Sequence, residues 1–228
     1  MRAFENIVKI EEMKRKISEG DFETALKVLK TIPLKKIKKS SDLSLMARVY
    51  EENGRYEEAM ELLLNVYHKN KSRKVIFQLL TLSIKMRDVR DAEGLLMEYE
   101  SLAPDDFYNY IFRYKIDKIK GEPYEKLIDT LEALKSIEYI EKWAYELAKL
   151  YYKADMEEEC ISECSDIILW FGNGSYVEKA KMLRSYYSGE TNKESMIEEL
   201  KRRAQKTKQN QFKDDADGDI LEIKVDGE

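Results

Sequence analysis

Hydrophobic positions between Ser40 and Asn70 fall into two stripes. In SSDLSLMARVYEENGRYEEAMELLLNVYHKN, Leu43, Met46, Ala47 and Tyr50 recur at three- and four-residue steps, and so do Tyr56, Ala59, Leu63 and Val66. Such steps return to one face of an α-helix, so the pattern predicts two amphipathic helices joined by a turn at Asn53-Gly54. The small side chain of Ala59 lets the two helices approach closely.

The pattern recurs along the chain. Ala25, Ala59, Ala92, Leu127 and Cys160 follow one another at nearly constant intervals, roughly 34 positions each. Four residues on stand Leu29, Leu63, Leu96, Leu131 and Cys164, and seven on stand Ile32, Val66, Tyr99, Leu134 and Ile167. Three columns in step across five units predict a repeat of helical hairpins. In the first unit, Ile7, Ile10, Met13 and Ile17 suggest the first helix, and the second ends at Pro33, which cannot continue a helix without strain. The run Leu34 to Lys39, LKKIKK, reads as a basic, solvated connection. After Gly172-Asn173-Gly174, the spacing of Ala180, Leu183 and Tyr187 predicts a capping helix, and Met196, Ile197 and Leu200 anchor a further short one. The predicted boundaries are a repeat array over 1–190, a short helix within 191–208, and an acidic, disordered tail over 209–228.

A period near 34 with two helices per repeat resembles the tetratricopeptide repeat family, most clearly from Leu43 to Ile167. The family's Leu-Gly pair appears here as Met46-Ala47, Leu79-Leu80, Arg113-Tyr114 and Leu147-Ala148. Its tyrosine position holds Tyr50 and Tyr151 but Ser83 and Asp117 in the middle units, and its closing proline appears once, at Pro104. An extra residue near Pro123 departs from the pattern. The resemblance implies an all-α fold, a right-handed α-α superhelix whose first helices line a concave groove for protein or peptide partners. The stretch ELAKLYYKADMEEECISECSDIILWFGNG is also similar to repeat proteins of unassigned role in clostridial bacteria.

Composition agrees with solvated helices. Charged residues make up 37% of the 228 and hydrophobic ones 43%, with only 9 Gly and 3 Pro. A net charge of −5 argues against a general nucleic-acid binder. Without an apolar run long enough to cross a bilayer, or a secretion signal in MRAFENIVKIEEMKRK, the expectation is a cytoplasmic protein without a membrane role. The tail is sharply segregated: six positive residues and no acids from Lys201 to Lys213, then seven acids against Lys224 alone.

Catalytic chemistry finds little support, and no cofactor is expected. His68 is the single histidine, which excludes a multi-histidine metal site. Cys160 and Cys164 occupy core columns, where cysteine acts as a small hydrophobe. Asp215, Asp217, Asp219 and Glu222 lack the glycine and glutamate spacing of a calcium loop. The LKKIKK run is basic, but with no separate N-terminal helix-turn-helix pattern ahead of the repeats in this sequence, the expectation is that the chain does not read DNA directly.

The family resemblance directs attention to first-helix residues that face away from the second helix. One such row holds Ser44, Phe77, Ile111 and Tyr145; the next holds Arg48, Thr81, Lys115 and Lys149, with Lys118 and Tyr152 nearby. The expected groove residues are therefore Arg48, Phe77, Ile111, Lys115, Lys118, Tyr145, Lys149 and Tyr152. Phe77 and Ile111 either line that groove or pack between neighbouring units. Ser44, Arg48, Phe77 and Thr81 do not match the Lys/Asn/Arg clamp by which some family members hold a terminal carboxylate. Aromatic and cationic groups together suit a segment bearing acidic and apolar residues. The alternative is a peptide-sensing regulator autoinhibited by its own acidic tail, through Ile220, Leu221, Ile223 and Val225.

Overall fold

The chain reverses direction at Gly20, Gly54, Arg87, Gly121, Asp155 and Gly189, whose φ values run from +56° to +75°. In each turn the following amide N–H donates to a carbonyl five residues back: Asp21 to Lys16, Arg55 to Tyr50, Asp88 to Ser83, Glu122 to Asp117, Met156 to Tyr151 and Glu190 to Ser185. This is the glycine-favouring helix C-cap, which satisfies carbonyls left over at a helix end. Four of the six positions are glycine, which adopts positive φ without a Cβ clash. No interval between successive turns differs from another by more than a single position, so the backbone keeps the repeat more regularly than the side chains do.

The structure, a computed structural model, describes residues 2–69, 71–192, 194–199 and 201–202. These turns separate paired helices: α1 (Arg2–Ser18) from α2 (Phe22–Leu29), α3 (Ser40–Glu52) from α4 (Tyr56–Tyr67), α5 (Arg73–Lys85) from α6 (Val89–Leu102), α7 (Tyr108–Lys120) from α8 (Tyr124–Ile137), and α9 (Glu141–Lys153) from α10 (Glu157–Phe171). The chain goes on through α11 (Ser175–Tyr187) to helical residues at 194–199 and 201–202. Among the described residues there is no strand, and the fold is all-α, as expected. The expected tail over 209–228 lies outside the described residues.

All fifteen residues of the three sequence columns are buried, none more than 5% exposed. Each large apolar member contributes on the order of 1.5–3 kcal/mol by leaving water. The small-residue position always stands four residues after the cap of its helix, as Ala25 does after Asp21 and Ala92 after Asp88. That spacing extends the repeat. Asn192 caps the last helical stretch by accepting from the Ser195 N–H at 2.8 Å, and four residues on Met196 is buried. The turn at Gly189 is two residues longer than those at Gly20, Gly54, Arg87 and Asp155, and one longer than that at Gly121. Thus α11, expected as a cap, stands where the first helix of a sixth hairpin belongs, and the stretch after it, expected as a further short helix, stands where the second belongs.

The chain divides into two compact units, Met1–Phe112 and Arg113–Glu228. In the first, the hairpins α1–α2, α3–α4 and α5–α6 share one core running from Ile10 and Met13 to Leu82. Two details differ from the sequence expectation. Ile7 is 57% exposed, because α2 has 8 residues and is too short to cover the 17 of α1. The connection LKKIKK is not wholly solvated: Leu34–Lys36 forms a 3₁₀ turn that delivers Ile37 into the core. In the second unit α9 is the central element, packed by α8, α10 and α11. Six consecutive residues, Trp143 to Ala148, are buried, which a helix covered on several sides requires.

Candidate functional site

The expected groove residues fall in both units and meet different fates. In the first unit, Arg48 is exposed, pairing with Glu52 at 3.7 Å and lying 5.5 Å over the Phe22 ring. Phe77 is half-buried, edge-on to Tyr108 at 4.9 Å, Phe112 at 5.0 Å and Tyr99 at 6.0 Å. Ile111 is 4% exposed, so for this residue the packing alternative is the one found. Ser44, in the same row, is also buried.

In the second unit the row behaves otherwise. Tyr145 is 3% exposed and offers no open surface, contrary to expectation; burial on the covered face of α9 also pushes its phenol well above the usual range. Its ring lies 5.8 Å from that of Tyr176 on α11, and the ammonium groups of Lys149 and Lys179 each lie 5.8 Å from its centroid. Trp143 packs edge-on to Tyr114 at 5.7 Å, with the Lys115 and Lys142 ammoniums 5.8 and 5.4 Å from its ring. Tyr152 is half-buried, its ring 5.8 Å from that of Tyr186 and 6.0 Å from that of Tyr187.

Between these rings sits a group that sequence reasoning missed. Glu146 is buried, and its Oε1 accepts from the Tyr114 hydroxyl at 2.7 Å and the Lys118 ammonium at 2.9 Å. Lys149 pairs with the other carboxylate oxygen. Burial alone would raise the carboxyl; Lys149 and Lys118 outweigh it and hold Glu146 down at about 2. Lys118 and Lys149, expected as open cations, are therefore already engaged with an internal acid. Lys179 is different. It is half-buried and forms no ion pair among the described residues, and its pKa is lowered first by burial and then by the charge of Lys149. An ammonium in that position gains from any added anion.

Both missed residues leave a trace in the spacing. Lys179 stands one repeat after Tyr145, so the row Ser44, Phe77, Ile111, Tyr145 simply continues into the sixth hairpin. Tyr114 and Lys118 precede Glu146 by 32 and 28 positions, less than one repeat, on the neighbouring first helix. Among the described residues no group of three His, Cys, Asp or Glu side chains could hold a metal, and no helix is long and apolar enough to cross a membrane. Cys160 and Cys164 are buried free thiols.

The family described as tetratricopeptide repeat matches residues 16–80. No curated protein matches the chain. Among solved structures, MamA 41-end from Desulfovibrio magneticus RS-1 aligns at a TM-score of 0.61 and 16% identity, covering 77% of this chain and 96% of that one. TTC0263, a thermophilic TPR protein of Thermus thermophilus, aligns at 0.55 and 15% identity, covering 81% and 97%. The chain is therefore similar in sequence to the tetratricopeptide repeat over residues 16–80, and its fold is like that of these helical-repeat structures.

Proposed function

We propose that the chain is a non-catalytic scaffold that holds an acidic, apolar-bearing protein segment against the α7, α9 and α11 face of its second unit. The observation that carries this reading is Lys179, a half-buried ammonium without an ion pair among the described residues, beside Lys149 and above the rings of Tyr145 and Tyr176. Glu146 fixes Lys118 and Lys149 in place, so the ammonium groups are ordered before a partner arrives. Pre-ordering of this kind lowers the entropy lost on binding. Half-buried Tyr152, Tyr186 and Tyr187 offer apolar contact beside the cations.

Fluorescence anisotropy with a labelled peptide of glutamate and leucine, and with its lysine-for-glutamate counterpart, tests the reading. The acidic peptide should bind, weaken as salt is added, and lose roughly tenfold in affinity in Lys179→Met, the worth of one charge-assisted hydrogen bond. Equal binding of the two peptides, or an unchanged affinity in the variant, would contradict it. Charge reversal at Lys149 is a poorer probe, because it would set a second carboxylate against Glu146.

A further inference from the structure

The first hairpin leaves part of itself uncovered. Helix α1 has 17 residues and α2 only 8, so α2 stops short of the opening turns of α1. There Phe4 is 73% exposed, Ile7 57% and Val8 51%. Steps of three and four residues put these side chains on one stripe of the helix. The stripe ends at Glu11, whose carboxylate pairs with Lys14 at 2.8 Å, and Glu5 beside it pairs with Lys9 at 2.9 Å. Of the bordering acids, only Glu12 is without an ion pair among the described residues.

The connection that follows α2 lies at the same end. From the turn at Gly20, α2 runs back along α1, so its last residue, Leu29, shares a core with Ile10. The chain then enters residues 33–39 beside the uncovered turns. From Thr24 to Ser41 the sequence has six lysines and no acid. Four of them, Lys35, Lys36, Lys38 and Lys39, are exposed and form no ion pair among the described residues. The 3₁₀ turn and the buried Ile37 tie this backbone down, so the four ammoniums are held at the surface. On a chain of net charge −5, this end is a cationic exception.

The charge calls for an anionic partner, and the apolar stripe selects among the anions. Lysine is depleted at protein–protein interfaces, and three apolar side chains fall well short of the roughly 800 Å² that each partner of a stable complex buries. Nucleic-acid phosphates would take up the lysines but leave Phe4, Ile7 and Val8 in water. A lipid surface satisfies both groups: the apolar face of an interfacial helix sinks about 5–10 Å into the headgroup boundary, and clustered lysines next to it meet anionic headgroups. We propose that the first hairpin rests on an anionic membrane surface. Phe4, Ile7 and Val8 enter the headgroup boundary, and the lysine pairs on either side of Ile37 meet the headgroup anions. Among the described residues no helix is long and apolar enough to cross a bilayer, so the contact is peripheral. It departs from the sequence expectation of no membrane role. It belongs to the first unit and does not depend on the lysine face of the second.

Sedimentation of the full chain with vesicles tests it, using phosphatidylcholine alone and an equal mixture of phosphatidylcholine and phosphatidylserine. The chain should sediment with the mixed vesicles and not with phosphatidylcholine alone, and added salt should release it. Lys35→Ala with Lys36→Ala should lose about fivefold in affinity for each lysine removed. Phe4→Ser with Ile7→Ser should lose about tenfold while keeping the parent's melting temperature, because both side chains already face water. Lys179→Met, in the second unit, should bind the vesicles as the parent does. No sedimentation with either vesicle, equal binding to both, or binding unchanged in Phe4→Ser with Ile7→Ser would overturn the proposal. Tighter binding to duplex DNA than to the mixed vesicles would also overturn it, by assigning the lysines to nucleic acid.

Discussion

Gln78 and Glu146 stand two repeats apart, at the same place on α5 and α9. Each follows the aromatic member of the groove row, Phe77 or Tyr145, yet their surroundings are opposite. On the preceding first helix, Glu146 meets Tyr114 and Lys118; the equivalent positions before Gln78 hold Met46 and Tyr50. Three residues ahead stand Lys149 and Thr81 respectively. One position therefore carries an ionised acid saturated by three donors, while the other carries a neutral amide whose oxygen is unpartnered. A repeat backbone supplies equivalent sites, and the neighbouring repeat decides whether such a site holds a paired charge or a neutral amide.

The largest expected effect lies at Glu146. Glu146→Gln keeps the side chain's size but leaves Lys118 and Lys149 facing each other without their acid, which should cost about 3 kcal/mol in urea unfolding at pH 7. The pH profile sharpens this. The folded value, about 2, lies below the ordinary 4.5, so the stabilisation is complete above pH 4.5 and is lost as pH falls through 2. The variant should show a flatter profile across that window. The same substitution in α10 should behave oppositely. Glu163 is buried beside one ammonium, Lys135 at 2.5 Å, which Asp166 also engages at 3.2 Å, and burial leaves its carboxyl raised. A raised carboxyl contributes fully below 4.5 and loses that contribution as pH rises, so Glu163→Gln should cost less at pH 7, about 1 kcal/mol, and should remove a slope of opposite sign.

Lys179→Met should separate stability from binding. Removing an ammonium that burial disfavours should leave the melting temperature unchanged or raised, while binding of the acidic peptide weakens. Its pKa lies below 10.5, so the parent's disadvantage relative to this variant should shrink as pH rises through the lowered value. The smallest effects lie in the turns. Gly54→Ala places a Cβ at φ +70° and should cost about 1 kcal/mol, whereas Arg87→Gly, at φ +59°, should be stabilising by about 0.5 kcal/mol in the same unfolding assay.

The buried columns were legible in sequence because apolar burial depends on a helix's own periodicity. The turns were legible only in part: Gly20, Gly54, Gly121 and Gly189 mark the period, but Arg87 and Asp155 hide it. The polar part of the site was least legible. Glu146 reads as a solvated residue until Tyr114 and Lys118, on another helix, are placed beside it. Lys118 and Lys149 read as open cations for the same reason. Ile111 and Tyr145 lie on the predicted row, but α-helix periodicity says which residues share a face and not how deeply the next helix covers it. Lys179 was missed because the array was expected to end one hairpin early.

Lysine-selective NMR of the Lys179 ammonium, titrated with pH in the presence and absence of the glutamate–leucine peptide, is the most direct test of the central claim. Alone, Lys179 should titrate below 10.5; with the peptide bound, a carboxylate beside it should move that value upward. A Lys179 titration that the bound peptide leaves unmoved would contradict the account.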